Sequence, residues 1–121
     1  MTRRIIAAVD EMLFASKIRA VAEHVGVTVQ FARNNESVIE VARAGASDLI
    51  IVDLHSEKVM GIDLAKRLKS DEQLSSIRLI GFFSHVQKEL QQEAEQAGYD
   101  QVLPRSAFVN KLAGFLQGSG D

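Results

Sequence analysis

Apolar residues gather along this chain in short runs, and the segments between the runs follow a different rhythm. Four runs stand out, Ile5-Ile6-Ala7-Ala8-Val9, Val27 to Phe31, Leu49-Ile50-Ile51-Val52 and Leu79-Ile80-Gly81-Phe82-Phe83, with a weaker fifth around Val102-Leu103. The first, third and fourth are apolar at nearly every position, which predicts strands covered on both faces in a parallel sheet. The intervening segments carry helical spacing: Ile18, Val21, Ala22 and Val25; Val38, Val41 and Ala42; Leu64, Ala65 and Leu68; Leu90, Ala94 and Ala97; Leu112, Phe115 and Leu116. Each predicts a helix with one apolar stripe and a polar opposite face. Asn34-Asn35 precedes the second helix, Gly26, Gly45 and Gly98 fall near helix ends, and Pro104 is expected just past the last strand.

Strand and helix thus alternate five times. With right-handed crossovers this predicts an α/β fold, a flavodoxin-like doubly wound five-stranded parallel sheet in the order 2-1-3-4-5 with five helices. A chain of 121 residues is one domain's worth of core. Residues 1–117 read as that domain, and Gly118-Ser119-Gly120-Asp121 as a flexible tail.

Charge and composition narrow the field. A formal net charge of -2 and no Lys/Arg block give no footprint for direct nucleic-acid binding. No stretch approaches the roughly eighteen apolar residues of a bilayer crossing, so the expectation is a soluble, non-exported, cytoplasmic protein. The absence of cysteine excludes disulfides, thiolate nucleophiles and Cys-based zinc sites, and three scattered histidines form no ligand cluster.

In an open parallel sheet the working crevice lies beyond the carboxyl ends of the strands, close to where strand order reverses. Asp10 follows the first run and Asp53 the third, so in this order the two carboxylates end neighbouring strands within reach of one ion. Mg²⁺ accepts such a sparse set because it keeps much of its hydration shell, and a backbone carbonyl such as that of His55 would add a ligand. The ion could offset charge on a phosphoryl group reaching Asp53. The bland alternative stands beside this: a carboxylate after a strand is often a turn former, and Asp10 could cap the helix beginning near Met12.

Ile5 to Glu11, reading IIAAVDE, resembles the opening strand of response-regulator receiver domains, and Asp48-Leu49-Ile50-Ile51-Val52-Asp53-Leu54 resembles their phosphoacceptor strand. Gly26 lies where receivers end their first helix, Gly61 keeps the family spacing after Asp53, and Gly98-Tyr99-Asp100 is similar to the Gly-Ala-Asp before the last strand. The resemblance implies that Asp53 takes a phosphoryl group from a histidine kinase or phosphotransfer protein, with Asp10 and the His55 carbonyl helping to hold Mg²⁺. It also implies a signalling module rather than an enzyme, a downstream protein partner, and a monomer or weak homodimer.

The chain departs from the family pattern in its signalling positions. Val9 replaces the first acidic residue, so Mg²⁺ binding is expected to be weak; adjacent Glu11 need not point the same way. The switch Ser/Thr falls on Phe83, which has no hydroxyl, and Ser84 could substitute only if the backbone turns there. The family lysine falls on Arg105, which keeps the charge as a planar fork. Ser106 replaces the usual Pro while Pro104 precedes the arginine, and the aromatic switch residue falls on Val102.

His55 and His85 are expected in loops over the crevice, His24 near a helix end, and Phe31 and Phe82 in the core. The Glu/Gln-rich run Gln87 to Gln96 predicts a solvated acidic face on the fourth helix. Three functional readings follow: an atypical receiver in a phosphorelay; a pseudo-receiver acting as a phosphorylation-independent interaction module; and an unrelated flavodoxin-like nucleotide binder. The last is disfavoured because Asp10-Glu11-Met12 stands where a Gly-rich phosphate loop would follow the first strand.

Overall fold

A computed structural model describes residues 3–84 and 87–118. His85 and residues 119–121 lie outside them. The elements run β1 (Arg4–Ala8), α1 (Met12–Val25), β2 (Thr28–Ala32), α2 (Asn35–Arg43), β3 (Leu49–Asp53), α3 (Gly61–Ser70), β4 (Arg78–Phe83), α4 (Lys88–Ala97), β5 (Gln101–Pro104) and α5 (Arg105–Gln117). The five strands form one parallel sheet in the order β2-β1-β3-β4-β5, as the alternation predicts.

Strand alternation sorts the apolar runs into two layers. Ile6, Ala8, Ile50, Val52, Leu79 and Phe83 face α2, α3 and α4, where they meet Val38, Leu64, Leu68 and Ala94. Ile5, Ala7, Leu49, Ile51, Ile80 and Phe82 face α1 and α5, where they meet Phe14, Ile18, Phe108, Leu112 and Phe115. Burying each Leu, Ile or Phe contributes about 1.5–3 kcal/mol, which is why β1, β3 and β4 carry almost no polar residue.

Boundaries differ from the sequence expectation in three informative places. The Val27 amide donates to the Ala22 carbonyl at 3.0 Å beside left-handed Gly26 (φ 79°), so Val27 closes α1 and β2 starts at Thr28. Pro104 is the last residue of β5 rather than lying past it, and α5 begins at once with Arg105. Gly118 is not loose chain: it is the left-handed C-cap of α5 (φ 90°), its amide bonded to Phe115. Phe31, expected in the core, is only part-buried because β2 is an edge strand, and the Arg19 guanidinium covers its ring at 4.7 Å.

Among the described residues no helix is long and apolar enough to cross a membrane. α4 buries a single residue, Ala94, and leaves the expected solvated Glu/Gln face.

Candidate functional site

The register brings the two predicted acids to one rim. Ala8 pairs with Val52, so the residues just past β1 meet Asp53, the last residue of β3, which itself pairs with Phe82. A cleft of about 350 Å³ opens there, and Asp10, Glu11, Asp53, His55, Ser84 and Arg105 line it together with the Ser56–Lys58 loop. Asp53 is 4% exposed, the one buried residue with an ionisable carboxyl among the described residues, so it forms the floor of this cleft.

The loop after β3 is tied down at each step. The His55 amide donates to Asp53 Oδ1 at 2.9 Å, the Ser56 amide to the Asp53 carbonyl at 3.2 Å, and the Val59 amide to Ser56 Oγ at 3.1 Å. Val59 is buried, and the side-chain amide of Asn35 spans the Met60 backbone with two bonds, accepting from its amide at 3.0 Å and donating to its carbonyl at 3.2 Å. Gly61 then opens α3 under Tyr99, whose hydroxyl donates to the Gly61 carbonyl at 2.8 Å. A Cβ at Gly61 would stand 2.8 Å from Leu54 Cδ2 and 3.1 Å from the Tyr99 hydroxyl, so any larger residue there would have to push the Leu54 side chain aside.

Burial is the largest influence on Asp53 and pushes its carboxyl above the ordinary aspartate range; nearby Asp10 adds to this. The His55 amide and the Arg105 charge oppose it. Arg105, as the first residue of α5, lies over the α1/α5 layer, its guanidinium carbon 4.4 Å from the centre of the Phe14 ring and 5.7 Å from that of Phe82. Its Nη2 donates to Glu11 Oε2 at 3.0 Å.

The other predicted site residues divide. Ser84 lines the cleft because the chain bends there, the condition under which it could stand in for a missing hydroxyl. Phe83 does not reach the cleft: it is 2% exposed and packed in the layer beneath α2 to α4. Val102 is buried in the same layer. Asp10 does not cap α1, since the N-cap residue is Glu11, which makes no side-chain cap bond. Among the described residues no peptide bond is cis.

Sequence reasoning missed the Glu11–Arg105 pair and the phenyl platform beneath it. The signal was present, because in the predicted order α1 and α5 cover the same face and each begins beside one of these charges. A wider groove of about 560 Å³ lies between α2 and α3, lined by Asn34, Lys58, Met60 and Arg67 among others, but its ion pair, Glu36–Arg67, is solvent-exposed. The chemistry therefore belongs to the smaller cleft with the buried carboxyl.

A family model described as the response regulator receiver domain matches residues 5–116. The chain belongs to the response-regulator receiver family. It is a receiver of two-component signalling, a family of signalling modules that work with histidine kinases or phosphotransfer proteins and downstream targets. Among curated relatives, the polar-differentiation response regulator DivK of Brucella ovis is 26% identical, the alignment covering 93% of this chain and 91% of DivK. The chemotaxis response regulator CheY4 of Vibrio cholerae superposes with a TM-score of 0.83 at 18% identity, covering 97% of this chain and 98% of that one. The receiver domain of the sensor histidine kinase PA1611 of Pseudomonas aeruginosa superposes with a TM-score of 0.84 at 17% identity, covering 98% of each chain; that protein coordinates a magnesium ion in its active-site cleft.

The cleft offers a metal few free acids. Val9, next to Asp10, is apolar and buried at 2% exposure, and Glu11 is engaged by Arg105. Among the described residues no three His, Cys, Asp or Glu side chains are grouped to hold a metal. Asp10 and Asp53 remain, and a sparse two-carboxylate set fits a hydrated Mg²⁺ better than a fully dehydrated ion.

Proposed function

We propose that this receiver accepts a phosphoryl group on Asp53. The observation that carries the reading is a single buried carboxylate on the floor of an open cleft, flanked by Asp10 and by the Arg105 cation. One Asp53 oxygen attacks the phosphorus of a phosphohistidine or an acyl phosphate; the new O–P bond forms as the donor's bond to phosphorus breaks, and the donor leaves with the electron pair. The His55 amide on Oδ1 orients the carboxylate. Arg105, together with the exposed Ser84 hydroxyl, would receive the transferred oxygens. Asp10, Asp53 and the His55 carbonyl would hold Mg²⁺ weakly, and the ion would offset charge developing on the phosphoryl group. In this reading the chain is a phosphorelay component without enzymatic turnover of its own, served by a histidine kinase or phosphotransfer protein.

One observation favours the second reading, that of a pseudo-receiver acting as an interaction module. Phe83 and Val102 are both in the core, so the hydroxyl and aromatic positions by which receivers report phosphorylation are occupied by packing residues. The two readings separate when the protein is incubated with Mg²⁺ and acetyl phosphate and its intact mass is followed. A phosphoryl-sized gain that is absent in Asp53→Asn is the expected result. No gain over hours, with the fold intact by circular dichroism, leaves the interaction module.

A further inference from the structure

Glu11 holds the N-cap position of α1 without making a side-chain cap bond, and it is not one of the two carboxylates, Asp10 and Asp53, assigned to the ion. It lies at the cleft mouth and holds Nη2 of Arg105 at 3.0 Å. The guanidinium carbon also lies 4.4 Å from the centre of the Phe14 ring and 5.7 Å from that of Phe82, and its Nε is buried with no hydrogen-bond partner among the described residues.

A guanidinium grasps an anion through one of two forks, Nε with Nη2 or Nη1 with Nη2. With Nε sealed against the rings, the second fork is the one left for a phosphoryl group. Nη2, common to both forks, is the atom that Glu11 holds. A phosphoryl group on Asp53 brings about 1.5 to 2 negative charges and three acceptor oxygens to the same guanidinium. The existing pair is half-open to solvent, with 31% of the Arg105 side chain and 46% of the Glu11 side chain exposed, so it is exchangeable rather than locked.

We propose that Glu11 sets the phosphoryl affinity of this receiver by competing for Arg105: Glu11 holds one N–H of Nη2, and a phosphoryl group on Asp53 draws on the same guanidinium charge, so capture of the group weakens the carboxylate contact. The inference rests on the reading of Asp53 as acceptor. It has a structural consequence, because Glu11 immediately precedes α1 and Arg105 opens α5, so the exchange unties the starts of two neighbouring helices.

The test is a titration of beryllium fluoride, which bonds a carboxylate oxygen and presents fluorines where phosphoryl oxygens would stand. It is run with Mg²⁺ on the whole chain and read by fluorine NMR, with circular dichroism confirming each fold. Glu11→Gln is expected to bind about fivefold more tightly than the wild type, the upper range for releasing an exposed ion pair. Glu57→Gln removes an exposed carboxylate from the same cleft, outside the Arg105 contact, and measures the general charge effect. It is expected to gain less than Glu11→Gln. In an Arg105→Ala background the Glu11→Gln gain should shrink to that of Glu57→Gln.

Equal gains for Glu11→Gln and Glu57→Gln, or a full gain surviving in Arg105→Ala, overturn the competition. If the wild type binds and Glu11→Gln adds nothing, competition fails while the acceptor reading stands. If only Glu11→Gln binds, the competition stands and the wild-type acceptor reading fails. Binding by none of the variants removes both.

Discussion

The two faces of the sheet are filled equally well, but with different side chains, and they end differently at the cleft. On the α1/α5 face the layer is aromatic: Phe82 stacks on Phe108 with ring centres 4.7 Å apart and touches Phe14 at 4.8 Å. That layer rises to the rim and becomes the platform on which Arg105 lies. On the α2–α4 face the layer is largely aliphatic and closes at the rim with Phe83, a residue that offers the cleft nothing. The charged residues of the cleft thus rest against the aromatic face, while on the opposite face the side chain at the same level, Phe83, is core.

The contrast is broken most directly at Phe83. Phe83→Ala should destabilise the fold by about 3–5 kcal/mol in urea denaturation, the usual cost of emptying a phenyl site. A loss below about 1 kcal/mol would mean that this face is not packed as described. Labelling by acetyl phosphate, measured on the folded fraction, should survive the change, because Phe83 makes no contact with the cleft.

Tyr99 sharpens the same comparison with a smaller effect. Tyr99→Phe keeps the ring that fills the space beside Gly61 and Gly81 but strips the Gly61 carbonyl of its donor. The expected cost is about 1–2 kcal/mol, read by the same denaturation. A neutral result would mean that the carbonyl finds another donor and that the start of α3 is held by packing alone.

The smallest effect is a gain. Burial raises the Asp53 carboxyl, so between the ordinary value of 3.8 and its own higher value the folded state binds more protons than the unfolded one, and stability falls as pH rises through that window. Asp53→Asn, which cannot ionise, should melt a few degrees higher than the wild type at neutral pH with Mg²⁺ chelated. The advantage should shrink as pH is lowered through the window. An equal melting temperature at neutral pH would show that Arg105 and the His55 amide already offset the burial in full.

The alternation of apolar runs and helical stripes determined the fold class and helix count by itself, because a strand buried on both faces needs helices on both sides, and the strand order then followed from the preferred right-handed crossover topology. The same pattern placed Asp10 and Asp53, since a polar residue directly after such a run must stand at the sheet's rim. Only tertiary structure decided which of their neighbours would join them. Whether Phe83 or Ser84 faces the cleft depends on a bend one residue long, and a one-residue shift in a strand exchanges the two faces. The Glu11–Arg105 pair joins groups 94 positions apart, and no local period records it. Local spacing settles what a segment becomes; the company a side chain keeps is settled by packing between segments, where a single bond or ring contact decides the outcome.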